Sequence, residues 1–196
     1  MKKGLLIFAL TFINLWSAFG QESYLDKGNS FLNKGDFDGA EKAFRKGIKA
    51  DTDNDVLQCQ LGLTLIQKKK YDEAEVVLDK VLKADSLHIG ANWYSGIGSY
   101  QNAKDRKAIM HFERALALLE KTAGQYFGAN WYIGKSYSNL LKLEGLTYSE
   151  TDRMFECFEE YLRLQPNAED SKQIREYVDR KKKRRPGTNV KIWRDM

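Results

Sequence analysis

The chain has 196 residues and a formal net charge of +5, with two cysteines and two prolines. This length fits one domain. The six consecutive cations Arg180 to Arg185 outnumber the net positive charge of the chain, so the remaining residues carry no net positive charge. The net charge therefore does not indicate a nucleic-acid-binding protein.

The first twenty residues have the pattern of a secretory signal peptide. Lys2 and Lys3 precede an apolar run, and the small residues Ala18 and Gly20 predict cleavage before Gln21. The alternative is an uncleaved anchor, but the apolar run would span only about 24 Å as a helix, against about 30 Å of hydrocarbon. We therefore expect an exported protein of the periplasm or envelope of a Gram-negative bacterium, with a mature chain of net charge +3.

Three series of residues recur with a period of 34: Gly28, Gly62 and Gly96; Ala40, Ala74 and Ala108; and Phe44, Leu78 and Phe112. This is the length of a helix–turn–helix unit that cannot bury its apolar face alone and stacks on copies of itself. No strand-like alternation occurs, so the sequence predicts an all-α chain with regular hairpins at about 21–54, 55–88 and 89–124.

A fourth unit, at about 125–166, is irregular. The run 127–134 repeats the run 89–96 at an offset of 38, which places Gly134 in the glycine series. Phe158 lies 46 residues after Phe112, so we expect the loop between the two helices to be longer by about eight residues. Thr147 and Glu150 form a candidate capping box for the second helix.

After the fourth unit, a polar helix at about 168–185 is expected to cap the stack. The tail, 186–196, is expected to be loose, with Val190, Ile192 and Trp193 as candidates for docking. Cys59 and Cys157 are an even pair in an exported chain, which raises the question of a disulfide. Because they lie in units that are not neighbours, we interpret them as free thiols.

These residues resemble tetratricopeptide repeats from Tyr24 to about Pro166. Unit one matches the family pattern at Tyr24, Gly28, Phe31, Ala40 and Phe44, and unit two at Leu61, Gly62, Leu65, Ala74 and Leu78. The resemblance implies a right-handed α–α superhelix of three regular hairpins, an irregular fourth and a capping helix. It also implies that the glycine, alanine and bulky series pack the repeats and carry no chemistry.

In the resembled family, the first helix of each unit lines the concave face. On this register the candidate groove is apolar and aromatic, and it consists of Leu25, Asn29, Cys59, Leu63, Ile66, Trp93, Ile97, Tyr100, Trp131, Lys135 and Asn139. Aromatic side chains in a concavity are typical anchors for a partner chain. The alternative is that Trp93 and Trp131 belong to the core.

Some members of the family clamp the terminal carboxylate of a chaperone with cations at fixed groove positions. Asn29 matches one such position, but Leu25, Gln60, Gly90 and Tyr94 occupy the others. A charge-assisted grip on a carboxylate needs cations there, so we do not expect this activity.

The basic run, Arg180, Lys181, Lys182, Lys183, Arg184 and Arg185, has three interpretations. A nuclear signal conflicts with export. A site for an anionic membrane surface or polymer is the second. The third is a solvated helix end whose cations lie near the negative end of the helix dipole.

No catalytic residue, metal site or cofactor is predicted. His88 and His111 are the only histidines, and no cysteine or carboxylate set accompanies them at metal-ligand spacing. The run 96–98 has a Gly-x-Gly spacing but no preceding strand. We therefore expect a non-catalytic adaptor that binds another protein in the aromatic groove. The alternatives are a structural subunit that docks by its convex face and an electrostatic tether through the basic run.

Overall fold

The structure is a computed structural model and describes residues 23–194, so the predicted signal segment lies outside the described residues. Within 23–194 the chain forms α-helices and no β-strand, which confirms the all-α prediction. The helices are α1 (Tyr24–Asn33), α2 (Phe37–Ala50), α3 (Asp55–Gln67), α4 (Tyr71–Ala84), α5 (Ile89–Gln101), α6 (Asp105–Leu116), α7 (Gly124–Leu143), α8 (Tyr148–Leu164) and α9 (Ser171–Arg184).

The first eight helices form four hairpins, and the second helix of each hairpin also packs on the first helix of the next. Two clusters of buried apolar side chains fill the stack, one in the N-terminal half and one from α5 to α9. Ile97 packs against both clusters, so the core is continuous along the stack. This is the layout expected when each unit covers the apolar face of its neighbour.

Each hairpin is closed by a glycine of its first helix that lies against a large side chain of its second helix. A Cβ atom added to the glycine would lie 2.2 to 2.8 Å from that side chain in the pairs Gly28–Phe44, Gly62–Leu78, Gly96–Phe112 and Gly134–Phe158. The alanine series is equally buried, at 0 or 1% exposed for Ala40, Ala74 and Ala108. These residues pack the repeats, as the sequence predicts.

The turns inside the hairpins also repeat every 34 residues. Gly35, Lys69 and Ala103 have φ values of 73°, 58° and 54°, in the left-handed region. In each turn, the residue that follows the left-handed one donates its backbone N–H to a carbonyl in the last turn of the first helix. An example is the 2.9 Å hydrogen bond from Asp36 N to the Phe31 carbonyl. Only the first of these turns has glycine, the residue that adopts this backbone without steric cost.

The irregular fourth unit differs from the expectation of a long loop. Relative to unit three, α7 gains one turn at its C-terminal end and α8 gains three residues at its start, while the loop 144–147 gains one residue. The extra turn of α7 is retained because Leu140 and Leu141 are buried, at 3 and 0% exposed. The capping box predicted at Thr147 and Glu150 is confirmed, with both reciprocal bonds present.

The end of the described tail is docked through Trp193, one of the docking candidates, so the expectation of a loose tail is wrong for residues 193–194. Leu146, in the loop of unit four, exchanges two 2.8 Å backbone hydrogen bonds with Trp193. Arg194 donates to the Glu144 carbonyl at 3.1 Å. The tail is held because Leu146, 0% exposed, offers unpaired backbone groups that must find partners once buried.

A buried polar pair joins the two helices of unit three. The amide nitrogen of Asn92 donates to the carbonyls of Ser86 and His88, so its oxygen accepts from His111 Nδ1 at 3.1 Å. His111 is 2% exposed, and its Nε2 atom has no protein partner. Burial, together with smaller contributions from the nearby cations Lys107 and Arg114, lowers the pKa of His111 to about 4.

Substitutions at the turns should separate backbone strain from packing. We expect Ala103→Gly to raise the free energy of unfolding by about 0.5–1 kcal/mol, because glycine relieves a left-handed backbone. Gly35→Ala should lower the free energy of unfolding by about 1 kcal/mol, because alanine is strained in the left-handed region. A Cβ at this position would meet nothing within 4 Å, so packing does not contribute to the loss. Urea unfolding followed by circular dichroism measures both. Shifts in the same direction would contradict the strain argument.

The stability of the protein should fall as His111 is protonated. Because its folded pKa of about 4 lies below the value of 6.5 for an exposed histidine, neutral His111 stabilises the fold fully above about pH 6.5 and progressively less as the pH falls towards 4. The loss should reach up to about 3 kcal/mol. Urea unfolding at a series of pH values should show a flatter slope for His111→Gln than for the wild type. The comparison is made between pH 6.5 and 4.5, because carboxylates with the ordinary glutamate pKa of 4.5 titrate below this range. Equal slopes of unfolding free energy against pH for the two proteins would exclude His111 as the cause.

Candidate protein-binding surface

The first helices of the units form one side of the stack. The Cα atoms of α1 and α3, of α3 and α5, and of α5 and α7 approach within 8 Å. The Cα atoms of successive second helices stay further apart, and these helices are linked by ion pairs such as Arg45–Glu73 at 3.0 Å. Because neighbouring first helices lie closer together than neighbouring second helices, the stack curves towards the first helices. We call their exposed side the inner surface.

One row of predicted groove residues follows this inner surface. Asn29, Leu63, Ile97 and Lys135 occupy the same position in the four units, and all four are partly buried with the remainder accessible. The row has apolar residues in the middle, a neutral amide at one end and a cation at the other. It is a continuous strip on which an extended or helical segment could lie.

Cys59 and Ile66 do not line the surface, which corrects the sequence expectation for these two residues. They are 5 and 1% exposed, in the core between α3 and α5. The cause is the pair Gly90 and Gly98, where added Cβ atoms would lie 4.0 Å from Cys59 Sγ and 3.2 Å from the Ile66 side chain. The two glycines let α5 approach α3 and cover both side chains.

Trp93 lies mainly in the packing between units three and four. Its ring meets Phe112 edge to face, with centroids 5.4 Å apart, and Tyr132 at 6.2 Å. A Cβ added to Gly128 would lie 2.9 Å from the Trp93 ring, so α7 closes directly over it. Trp93 therefore serves the core more than the surface.

Trp131 joins unit four to the capping helix. Its indole nitrogen donates to the carboxylate of Asp170, just before α9, at 2.6 Å. Its ring packs edge to face on Tyr100 and Tyr132, with centroids 6.1 and 5.0 Å apart. Lys135 Nζ lies over the ring at 5.6 Å. The indole is thus shared between packing and the accessible strip.

The remaining groove candidates have structural contacts of their own. Leu25 packs against the N-terminal core cluster, and Tyr100 packs against the C-terminal one. Asn139 donates to the carboxylate of Asp105, 4% exposed at the start of α6, at 3.1 Å. All three are partly buried.

Two residues important for this region were missed by sequence reasoning. Tyr132 stacks on Phe112 with centroids 4.7 Å apart and lies at the centre of the aromatic contacts. Asp170 accepts from Trp131 and also from the Tyr161 hydroxyl at 2.7 Å. Tyr132 was detectable beside Trp131 in the repeated motif, but no local pattern indicates the distant Asp170.

The basic run is divided among several environments. Lys181 is 4% exposed and lies over Tyr177, with 5.6 Å from Nζ to the ring centroid. Lys182 pairs with Glu159. Arg185 forms an ion pair with Asp152, with 2.6 Å from Nη1 to Oδ1, and its Cζ lies 3.5 Å from the ring centroid of Tyr148. The run therefore does not form one uniform cationic face.

The cysteines are free, as predicted. Burial raises the pKa of both thiols to about 12, so they are protonated and unreactive near neutral pH. Among residues 23–194, no group of three or more histidine, cysteine, aspartate or glutamate side chains has a geometry able to hold a metal ion. None of the helices in the described range is long and apolar enough to cross a membrane.

Comparison with known proteins gives the same picture of the fold. Residues 31–88 match the family model described as tetratricopeptide repeat. A crystal structure of MamA is 26% identical with a TM-score of 0.66, and the match covers 80% of this chain and 84% of MamA. The second TPR domain of human RPAP3, solved with the HSP70 peptide SGPTIEEVD, is 27% identical with a TM-score of 0.52, covering 58% of this chain and 92% of the domain. A search of curated proteins found no match.

Replacement of Trp131 should cost stability. We expect Trp131→Ala to lower the free energy of unfolding by about 2–4 kcal/mol, because it removes the ring contacts and leaves Asp170 short of a donor. Trp131→Phe should lose less, since it keeps most of the ring packing. Leu143→Ala, on the same helix at a residue 70% exposed, is the matched control and should stay within about 0.5 kcal/mol. Urea unfolding measures all three, and a Trp131→Ala variant as stable as the wild type would contradict the packing role of this indole.

Proposed function

Because the chain is a tetratricopeptide repeat protein, we propose that it is a non-catalytic scaffold that holds a segment of a partner protein on its inner surface. The observation that carries this proposal is the accessible row Asn29, Leu63, Ile97 and Lys135, which follows all four units. A partner segment with apolar residues at its centre fits this row. The RPAP3 domain, which is similar to part of this chain, was solved with a peptide bound.

The proposed binding strip is less aromatic than the sequence suggests. Trp93 contributes mainly to packing, and Trp131 is tied to Asp170, so Leu63 and Ile97 are the principal apolar contacts. Binding through apolar contacts depends little on salt. We place the scaffold in the periplasm or at the envelope on the basis of the signal-like residues 1–20.

A second candidate is an assembly subunit that docks by its outer surface. Val76 and Met110 occupy equivalent positions on the second helices α4 and α6, and they are 63 and 39% exposed. Two exposed apolar residues at a spacing of one repeat form a small matched patch. An electrostatic tether through 180–185 is less well supported, because Lys182 and Arg185 already pair with carboxylates of α8.

A pull-down from envelope extract should distinguish these functions. We expect Leu63→Gln/Ile97→Gln to retain at least about tenfold less of a specific partner than the wild type, because contacts at the centre of an interface carry most of the affinity. The matched control is Val76→Gln/Met110→Gln on the outer surface, which should retain it. Mass spectrometry of the bound fraction, with circular dichroism to check folding, provides the measurement.

Two other results of the pull-down would indicate different functions. Loss of the partner only in the outer variant would indicate an assembly subunit. Release of the wild-type complex by about 0.5 M salt, where the Debye length falls to about 4 Å, would indicate a tether.

A further inference from the structure

A cavity of about 300 Å³ lies between α7 and α9, at the C-terminal end of the inner surface. Helix α9 follows unit four as the first helix of a further unit would, but the Cα atoms of α7 and α9 stay more than 8 Å apart. The two helices are joined by side chains at two points, Trp131 to Asp170 at 2.6 Å and Ser138 to Tyr177 at 2.8 Å. These two hydrogen bonds connect the two sides of the cleft.

The cleft concentrates positive charge. Four cations from the two helices line it, namely Lys135, Lys142, Arg180 and Lys181. Burial lowers the pKa of Lys181, and the neighbouring Arg184, Arg180 and Lys142 lower it further, as a positive local potential requires. An anion in the cleft would offset this repulsion.

Among the described residues that line the cleft, Asp170 is the one carboxylate against four cations, so their formal charges sum to +3. Asp170 accepts through one oxygen from Trp131 and through the other from Tyr161 at 2.7 Å. Its geometry is therefore set by these two donors. The floor is formed by Phe158, Ile174 and Tyr177, which present apolar atoms to the stem of an entering side chain.

We propose that the cleft between α7 and α9 binds the acidic side chains of a peptide segment. This inference rests on the proposed function, because Lys135 belongs both to the inner row and to the cleft. The segment would place apolar residues on Leu63 and Ile97 and carboxylates among the cations. Lysine and arginine bind carboxylates by charge-assisted hydrogen bonds, which are stronger in a partly desolvated site.

The size and position of the cleft favour a peptide over a membrane surface. A cavity of about 300 Å³ is at the small end of ligand pockets and accommodates a few side chains. Its cations are divided between two helices that face each other across a narrow gap. A planar array of lipid headgroups would instead need cations on one outward face.

A direct binding measurement tests the proposal without the natural partner. The probe is fluorescein-labelled decaglutamate, titrated with the purified protein and followed by fluorescence anisotropy at about 50 mM salt, where surface charges are weakly screened. A neutral glycine–serine decapeptide serves as the control probe and should not bind. We expect Lys135→Ala/Lys142→Ala/Arg180→Ala to weaken decaglutamate binding at least about tenfold.

Two further variants control for net charge and for folding. Lys42→Ala/Lys46→Ala/Lys49→Ala removes three exposed cations from α2 and should change the affinity less than about threefold. Lys135→Arg/Lys142→Arg/Arg180→Lys keeps the charges and should retain binding. An equal loss in the α2 variant, or no binding by the wild type, would overturn the proposal.

The remaining arms separate this inference from the proposed function and from lipid binding. Leu63→Gln/Ile97→Gln should bind decaglutamate within about threefold of the wild type even where it loses the partner. If decaglutamate binding does not depend on the cleft while the partner still depends on Leu63 and Ile97, the cleft proposal fails and the groove stands. Binding of phosphatidylglycerol vesicles that the cleft variant abolishes, without binding of decaglutamate, would overturn the peptide assignment in favour of lipid.

Discussion

The contact between a first-helix glycine and a bulky second-helix residue is the constraint on which the remaining structure depends. At Gly96, for example, a Cβ atom would lie 2.8 Å from the Phe112 ring, so no larger residue fits unless that ring shifts. Every hairpin uses this contact, which lets its two helices approach closely. The inner positions of α1, α3, α5 and α7 are then aligned, and one accessible row results.

Unit four keeps this contact although its helices and the loop between them are longer than those of unit three. A Cβ atom added to Gly134 would lie 2.8 Å from the Phe158 ring, although the two residues are eight positions further apart in the chain than their counterparts. The added residues extend α7 and α8 and present Leu146 to the tail. The end of the stack is thereby closed by α9 and the tail, and the cationic cleft forms where the regular repeat ends.

The aromatic residues illustrate how packing and binding compete for the same side chains. Tyr132 contacts Trp93, Trp131, Tyr100 and Phe112, so these rings join units three and four. Rings that pack on one another in this way leave less of their surface for a partner. The accessible centre of the inner surface is consequently aliphatic, at Leu63 and Ile97, and its charged end is at Lys135.

The period of 34 residues by itself determined the helix pairs and their packing residues, because those contacts join residues 16 positions apart in each regular unit. The capping box at Thr147 was equally readable, since it depends on residues three apart. Which inner residues are covered was decided only by tertiary structure. Cys59 and Ile66 are buried because Gly90 and Gly98, in another unit, let α5 approach them. The docking of Trp193 and the cleft beside Asp170 likewise join segments far apart in the chain, for which a local period carries no information.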